Sequence, residues 1–139
     1  MVETQTLFKE SGMKIEHVAI NVRDLERTRD FFVKYFEAKS NKDYHNPRTG
    51  LRSFFLTFAD GARLEIMHWE AMPEGDFDKH ALGYTHICMS LGTREAVDEM
   101  TARLVADGYR HVSGPRTTGE GYYESCILLD DGEELELTI

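Results

Sequence analysis

The architecture follows from one stretch, Gly83-Tyr84-Thr85-His86-Ile87-Cys88-Met89-Ser90-Leu91, which repeats the pattern of Ile15-Glu16-His17-Val18-Ala19-Ile20-Asn21-Val22. In both stretches a histidine lies in an alternating strand that leads through a polar break to an amphipathic helix. Each histidine is followed at similar spacing by an Asp-Gly and then a glutamate: 65 − 17 = 48 residues separate His17 from Glu65, and 136 − 86 = 50 separate His86 from Glu136. The sequence therefore predicts a duplicated unit with one histidine and one carboxylate per copy.

Length and composition narrow the classes of protein to consider. With 139 residues, 41% of them hydrophobic, the chain can bury the core of one domain. A net charge of −9 argues against a nucleic-acid partner or an anionic membrane surface. No apolar run approaches the roughly 18 residues of a membrane span, and the N-terminus shows no signal-peptide pattern. Two cysteines do not make a disulfide framework, so we expect a reducing, cytoplasmic setting.

The pattern divides the chain into an N-terminal extension and one domain. We predict an extension over 1–13 and a domain over 14–139, composed of repeats 14–68 and 83–139 joined by a linker at 69–82. Each repeat is expected to be strand–helix–strand–strand–strand. The predicted fold class is α+β, with paired βαβββ modules forming a curved, barrel-like sheet that has its helices outside.

Caps and periodicity predict the helices. Asp24 and Thr93 are expected to be the N-caps, and Gly108 to end the second helix. The expected apolar stripes are, in the first helix, Leu25, Thr28, Phe32, Tyr35 and Phe36, and in the second, Val97, Met100, Leu104 and Val105.

Alternation and turn residues predict the remaining strands. After the first strand, Lys14–Val22, we expect a short strand around Ala38–Tyr44 and a hairpin of Arg52–Phe58 with Ala62–His68. In the second repeat the first strand leads into the helix. The helix is followed by a short strand at Tyr109–Val112 and a loop at Ser113–Gly121. Strands at Tyr122–Leu129 and Glu133–Ile139 complete the prediction.

Strand parity places four polar side chains on the faces that carry no helix: His17, Glu65, His86 and Glu136. Imidazole nitrogen and carboxylate oxygen together suit Zn, Ni, Co, Fe or Mn, and four such ligands leave room for water or substrate. A single strand histidine is more often an ordinary polar residue than a ligand. The occurrence of the same pair at equivalent points of two repeats favours the metal interpretation.

Further residues are candidates for contact with a substrate. Cys88 shares the face of His86 and either lines the cleft or acts as a thiolate. Tyr122, Tyr123 and Glu124 follow a flexible run and either form a lid or pack a strand, and Arg116 could bind an anion. We expect His45, His80 and His111 to be solvated, and His68 to point away from Glu65.

The opening His-Val-Ala-Ile-Asn-Val-Arg-Asp-Leu-Glu and the closing Asp-Gly…Leu-Glu-Leu resemble the vicinal-oxygen-chelate superfamily over residues 13–139. Its members include glyoxalase I, methylmalonyl-CoA epimerase, extradiol dioxygenases, and fosfomycin and bleomycin resistance proteins. The resemblance implies that His17, Glu65, His86 and Glu136 hold one divalent metal. With a glutamate at position 65, the His-Glu-His-Glu set is most similar to that of small bacterial glyoxalase I, since the epimerase typically has Gln at this position.

That resemblance implies a glyoxalase I-like lyase acting on the hemithioacetal of methylglyoxal and a thiol through an enediolate. Glu136 would move the proton and Glu65 would be a ligand and second base, with Ni, Co or Zn as the metal. It also implies a homodimer with the site shared between chains. Two positions depart from the glyoxalase pattern, because Asn21 and Trp69 replace an Arg and an Asn that grip glutathione. The open alternatives are another metal enzyme of the superfamily (epimerase, thiol transferase or dioxygenase) and a metal-free binding protein of the bleomycin-resistance kind.

Overall fold

A computed structural model describes residues 15–73, 75 and 77–139, which form two compact units. The first unit ends at Met72 and the second runs from Pro73 to Ile139, so residues 69–82 are divided between them. The predicted extension 1–13 lies outside the described residues. Among the described residues, no helix combines the length and the apolar character needed to cross a membrane.

The first unit contains one helix and a five-stranded sheet. Its elements are, in order, β1 (His17–Asn21), α1 (Leu25–Phe36), β2 (Lys39–Ser40), β3 (Tyr44–Asn46), β4 (Leu51–Thr57) and β5 (Arg63–His68). The single short strand expected around Ala38–Tyr44 is wrong in detail, because β2 and β3 are two pieces that each pair with β4. The sheet order is β1-β5-β4-β2.

The second unit contains one helix and a four-stranded sheet. Its elements are β6 (His86–Ser90), α2 (Arg94–Ala106), β7 (His111–Thr117), β8 (Tyr123–Leu128) and β9 (Glu134–Thr138), in the sheet order β6-β9-β8-β7. In both units the first strand is parallel to the last strand and the remaining pairs are antiparallel. Each sheet is open rather than closed, and the predicted α+β class with two related modules is confirmed.

Both helices begin where the sequence predicted. The Asp24 side chain accepts a hydrogen bond from the backbone N–H of Arg27, and Thr93 accepts one from that of Ala96. Gly108 follows the end of α2 at φ 96°, a left-handed conformation that a Cβ would disfavour. These local signals are sufficient to fix the helices because they depend on residues only three or four positions away.

The buried face of α2 differs from the predicted stripe. Val97 and Leu104 are buried as expected, but Val105 is 45% exposed and Thr101 takes its place in the core. Burial of Thr101 is tolerated because its hydroxyl donates to the carbonyl of Val97 and pairs with Ser125 Oγ at 2.6 Å. In α1 the structure buries Phe31 in addition to the predicted aromatic residues, whereas Thr28 is only half-buried.

The predicted loop at Ser113–Gly121 is wrong over its first five residues, which belong to β7. Pro115 is accommodated because β7 is an edge strand with one neighbour, β8, and its pairing with β8 shifts register between His111 and Ser113 and between Ser113 and Arg116. Gly114 has φ 79° and lies so close to β8 that a Cβ there would be 2.3 Å from the carbonyl oxygen of Glu124.

Candidate metal centre

The first unit brings His17 and Glu65 together on one sheet face. Leu64 and Ile66 are buried against α1, so the alternating Glu65 points to the opposite face, which we call the site face of that sheet. Parallel pairing sets Ala19 opposite Glu65, and His17 stands two residues before Ala19 with the same parity. Nε2 of His17 lies 3.9 Å from Oε1 of Glu65, with side chains 42% and 16% exposed.

The second unit repeats this arrangement. Leu135 and Leu137 are fully buried, so Glu136 points to the site face of the second sheet. Cys88 stands opposite Glu136 just as Ala19 stands opposite Glu65, and His86 precedes Cys88 by two residues. Nε2 of His86 lies 3.2 Å from Oε2 of Glu136. Equal register in the two sheets is the structural counterpart of the repeat in the sequence.

The surroundings of Glu136 disfavour its negative charge. Burial raises the pKa of the Glu136 carboxyl above its ordinary value; His86 opposes this, and Glu124 and Glu134 add to it. Glu124 also shares a side-chain hydrogen bond with Glu136. A carboxylate with a raised pKa is a stronger base than an ordinary glutamate.

Two thiols flank Glu136 on the neighbouring strands, since both Cys88 on β6 and Cys126 on β8 stand opposite it. Burial, assisted by the carboxylate of Glu136, raises the pKa of Cys88 to about 11. Burial and the carboxylates of Glu134 and Glu136 raise that of Cys126 to about 12. Both residues are therefore neutral thiols at physiological pH, which disfavours the thiolate role considered for Cys88.

A family model described as the Glyoxalase/Bleomycin resistance protein/Dioxygenase superfamily matches residues 14–137. The chain belongs to this superfamily. It is 23% identical to the uncharacterized protein YqjT of Bacillus subtilis (strain 168) over 132 residues, covering 90% of this chain and 96% of that protein.

Solved structures of the superfamily show the same fold. A glyoxylase/bleomycin resistance protein/dioxygenase domain from Frankia sp. EAN1pec is similar with a TM-score of 0.78 and 16% identity, covering 91% of this chain and 97% of that domain. The trypanothione-dependent glyoxalase I of Leishmania major is similar with a TM-score of 0.72 and 19% identity, covering 91% and 86%. At these identities the likeness concerns the fold.

Members of the superfamily commonly bind a divalent metal, and the donor atoms of this chain fit such an ion. Two ligands about 2.1 Å from one ion are about 3.0 Å apart at a right angle and about 3.4 Å apart at the tetrahedral angle. The separation of 3.2 Å between His86 and Glu136 lies in that range, and the 3.9 Å between His17 and Glu65 needs only a small closure. Within the described part of each unit no third His, Cys, Asp or Glu joins the pair at metal-binding distance. Each unit thus places one histidine and one glutamate at the spacing of two metal ligands.

The two positions that depart from the glyoxalase pattern are bonded to each other. The indole N–H of Trp69 donates to Oδ1 of Asn21 over 3.1 Å. Trp69 follows β5 with the parity of Glu65, and Asn21 has the parity of His17, so both belong to the site face of the first sheet. At the two positions where the glyoxalase pattern has residues that bind glutathione, this chain therefore presents an uncharged, partly aromatic surface.

The predicted substrate residues of the second unit do not share one face. Tyr123 lies on the helix side of β8, where its hydroxyl donates to Asp98 and its ring lies beneath the Arg94 guanidinium. Tyr122 lies in the preceding turn and is 58% exposed, and Arg116 is an exposed residue of β7 opposite Glu124. Of this group, Cys88 lies closest to the His86–Glu136 pair, in the row of Glu136.

The histidines set aside by the sequence analysis lie apart from the pairs. His68 has the parity of the buried Leu64 and Ile66, stands opposite Arg52, and bonds through Nδ1 to the carbonyl of Val22 at 2.9 Å. It lines an open groove of the first unit with His45, Pro47, Gly50, Arg52 and Glu70. Arg52 there is already paired with Glu26 and Asp43, so the groove offers no free cation among these residues.

Sequence reasoning missed two residues beside the pairs, Glu16 and Arg63, and considered Glu124 only for a lid or for strand packing. Glu16 and Arg63 contact the surroundings of His17, and Glu124 contacts Glu136. Arg63 stands opposite His17 in the parallel pair, and Glu124 has the parity of Cys126 on β8. Parity would have placed Glu124 on the site face, but the contact of Glu16 with Arg63 depends on a register that the sequence does not show.

Proposed function

We propose that this chain is a metal-dependent isomerase of the glyoxalase I kind, which acts on the hemithioacetal of methylglyoxal and a thiol. The observation that carries the proposal is the pair of one histidine and one glutamate at the same register position of both units. A binding protein of the bleomycin-resistance kind has no need of that repeated donor set. The superfamily typically acts on small molecules, which agrees with a substrate of this size.

The residues that would hold the ion are His17, Glu65, His86 and Glu136. A mixed nitrogen and oxygen donor set suits Ni²⁺, Co²⁺ or Zn²⁺. When bound, such an ion would act as a Lewis acid toward adjacent oxygens of the substrate. The side chains of His17 and His86, 42% and 39% exposed, leave access for a ligand from the site face.

Glu136 would serve as the base. Its carboxylate would take the proton from one carbon of the substrate, giving an enediolate, and return it to the neighbouring carbon. The proton is conserved and no oxidant is needed, so the reaction is an isomerisation. The raised pKa of Glu136 supports this role because it increases proton affinity. Glu65 is the second carboxylate of the donor set and would be available as a second base.

The thiol is proposed to differ from glutathione. Neither Asn21 nor Trp69 carries the positive charge that would hold a carboxylate, and the Asn21 oxygen is occupied by the indole N–H. The Leishmania major relative is named for its dependence on trypanothione, so a glyoxalase I with a different thiol exists on this fold. We propose a thiol in which an uncharged group takes the place of the glutathione carboxylate and packs on the Trp69 ring.

We further propose a homodimer with the site shared between chains, since superfamily proteins often dimerise. A cytoplasmic location is proposed from the two thiols, Cys88 and Cys126, which are free rather than bonded to each other.

Metal binding is the first test. Purified protein stripped with a chelator should bind Ni²⁺, Co²⁺ or Zn²⁺, and His86→Ala should lower the affinity by more than about 100-fold, beyond the effect of losing an outer-shell group. His80→Ala, at an exposed histidine outside the site, is the matched control and should leave affinity unchanged. Wild-type affinity in His86→Ala would remove the donor set from the proposal.

Turnover is the second test. Hemithioacetals of several thiols are assayed with the metal-loaded protein, alongside acyl-CoA epimers, thiol-transfer substrates and catechols. Glu136→Gln should lower hemithioacetal turnover by orders of magnitude even where metal remains bound. Turnover only of another substrate class would replace the glyoxalase assignment with that member of the superfamily, and a protein that binds no metal would favour a sequestering function.

A further inference from the structure

The two ring nitrogens of His17 face two different carboxylates. Nε2 points to Glu65 at 3.9 Å, whereas Nδ1 lies 2.9 Å from Oε1 of Glu16, the preceding residue. A carboxylate on the nitrogen that faces away from the metal position is the arrangement that fixes ring orientation and tautomer in protein metal sites. Glu16 is not one of the four proposed ligands.

Glu16 is itself held in place from β5. Arg63 donates to both of its carboxylate oxygens, from Nε over 2.8 Å and from Nη2 over 2.7 Å, in a two-pronged ion pair. The backbone N–H of Arg63 also donates to the carbonyl of Glu16 at 2.9 Å. Main chain and side chain of Glu16 are therefore tied to the same residue. The two-pronged contact with the Arg63 guanidinium pairs Glu16 as an ionised carboxylate, whose oxygens accept hydrogen bonds.

Phe55 completes the support. The Arg63 guanidinium lies 4.3 Å from the centre of the Phe55 ring, and the His17 ring meets the same phenyl ring edge-on, with centroids 5.3 Å apart. Phe55 stands opposite Glu65 on the neighbouring strand, in the same cross-strand row as the carboxylate that faces Nε2 of His17. One phenyl ring thus contacts both His17 and the arginine that holds Glu16.

Among the described residues of the second unit, His86 has no equivalent support. Thr85 precedes His86, and the residue opposite His86 is Glu134, where the first unit has Arg63. Glu134 is paired with Lys79 at 2.7 Å. Among the described residues, the partner of the His86 ring is Glu136 and no carboxylate bonds to its other nitrogen. The two histidines of the repeat are therefore set up differently.

We infer that Glu16, clamped by Arg63, is a positioning residue that keeps His17 as the Nδ1–H tautomer and thereby presents Nε2 as the ligand atom. An ionised carboxylate can only accept, so the nitrogen facing it must carry the proton. Free imidazole favours the opposite tautomer, with the proton on Nε2, which would block binding. The inference rests on the proposed function for its consequence in metal affinity, and on the geometry alone for the tautomer.

The first measurement needs no metal. In apoprotein with isotope-labelled histidine at about pH 8, where free imidazole is neutral, long-range proton–nitrogen NMR reports the tautomer of His17. Wild type should show Nδ1–H, Glu16→Ala should shift toward Nε2–H, and Glu16→Gln should largely retain Nδ1–H because the amide oxygen still accepts. Arg63→Ala should give a mixture, since it releases Glu16. Glu26→Ala, which breaks a Glu–Arg pair in the same unit away from His17, is the control and should match wild type.

The second measurement is titration of the same variants with Ni²⁺. Glu16→Ala should lower affinity by about 10- to 100-fold, Glu16→Gln by less, and Glu26→Ala not at all. If Glu16→Ala keeps both the wild-type tautomer and the wild-type affinity, the positioning role is overturned. If wild type binds no Ni²⁺ but the tautomer changes as expected, the proposed metal function fails while the positioning of His17 stands.

Discussion

At the scale of single residues, Glu136 is held in the folded protein in a form that its surroundings disfavour. Burial and neighbouring carboxylates raise its pKa in the native state, so the native state binds a proton more readily than the unfolded chain does. Stability contributed by this group is therefore present below the ordinary pKa, and is lost as pH rises through the raised one. The ionised Glu136 carboxylate therefore lowers the free energy of unfolding of the metal-free protein.

Glu136→Gln should therefore stabilise the metal-free protein at neutral pH while it abolishes turnover. With chelator present, its Tm should exceed that of wild type at about pH 8, and the difference should shrink as the pH falls through the raised pKa of Glu136 toward its ordinary range. Glu120→Gln, at an exposed glutamate, should show no such pH-dependent difference. A lower Tm for Glu136→Gln across this pH range would mean that the carboxylate stabilises the apoprotein, contrary to the described electrostatics.

At the scale of elements, the edge strand β7 depends on one glycine. Gly114 combines φ 79° with a Cβ position 2.3 Å from a backbone oxygen and 2.9 Å from Cα of Ser125, and backbone atoms of a paired strand cannot move aside cheaply. Gly114→Ala should cost at least about 2 kcal/mol in the free energy of unfolding, measured by denaturant titration. Gly119→Ala, where a Cβ would meet open space, should stay within about 0.5 kcal/mol of wild type. Equal stability of the two variants would contradict the close β7–β8 approach.

The same strand shows where sequence reasoning stopped. Asp24 and Thr93 were identifiable as caps because capping is local, whereas Gly114-Pro115 is typical of a loop and becomes a strand only because β7 lies at an edge beside β8. The His–Glu pairs were predictable because the chain contains them twice at nearly equal spacing. Arg63 was not, since its role comes from standing opposite His17 and reaching Glu16, 47 positions earlier.

At the scale of the whole molecule, the two units each carry half of the proposed donor set. The first unit contributes His17 and Glu65, and the second contributes His86 and Glu136. The strands that bear the histidines, β1 and β6, are both edge strands of their sheets and are largely exposed. Exposed edges favour pairing with another chain, and proteins of this superfamily often dimerise. The proposal of a shared site therefore makes a prediction that a site within one chain does not.

Mixing two inactive variants should restore metal binding and activity. If each site takes one pair from each chain, a dimer of His17→Ala with His86→Ala carries one site with both defects and one with all four ligands. Random one-to-one reassembly then gives about a quarter of the wild-type sites. Mixing His17→Ala with Glu65→Ala, whose defects lie in the same unit, leaves a defect in every site and should restore nothing. Recovery of metal binding and activity in the first mixture but not in the second would establish that each site is shared between two chains. No recovery, in a mixture shown by mass spectrometry to contain the heterodimer, would assign all four ligands to a single chain.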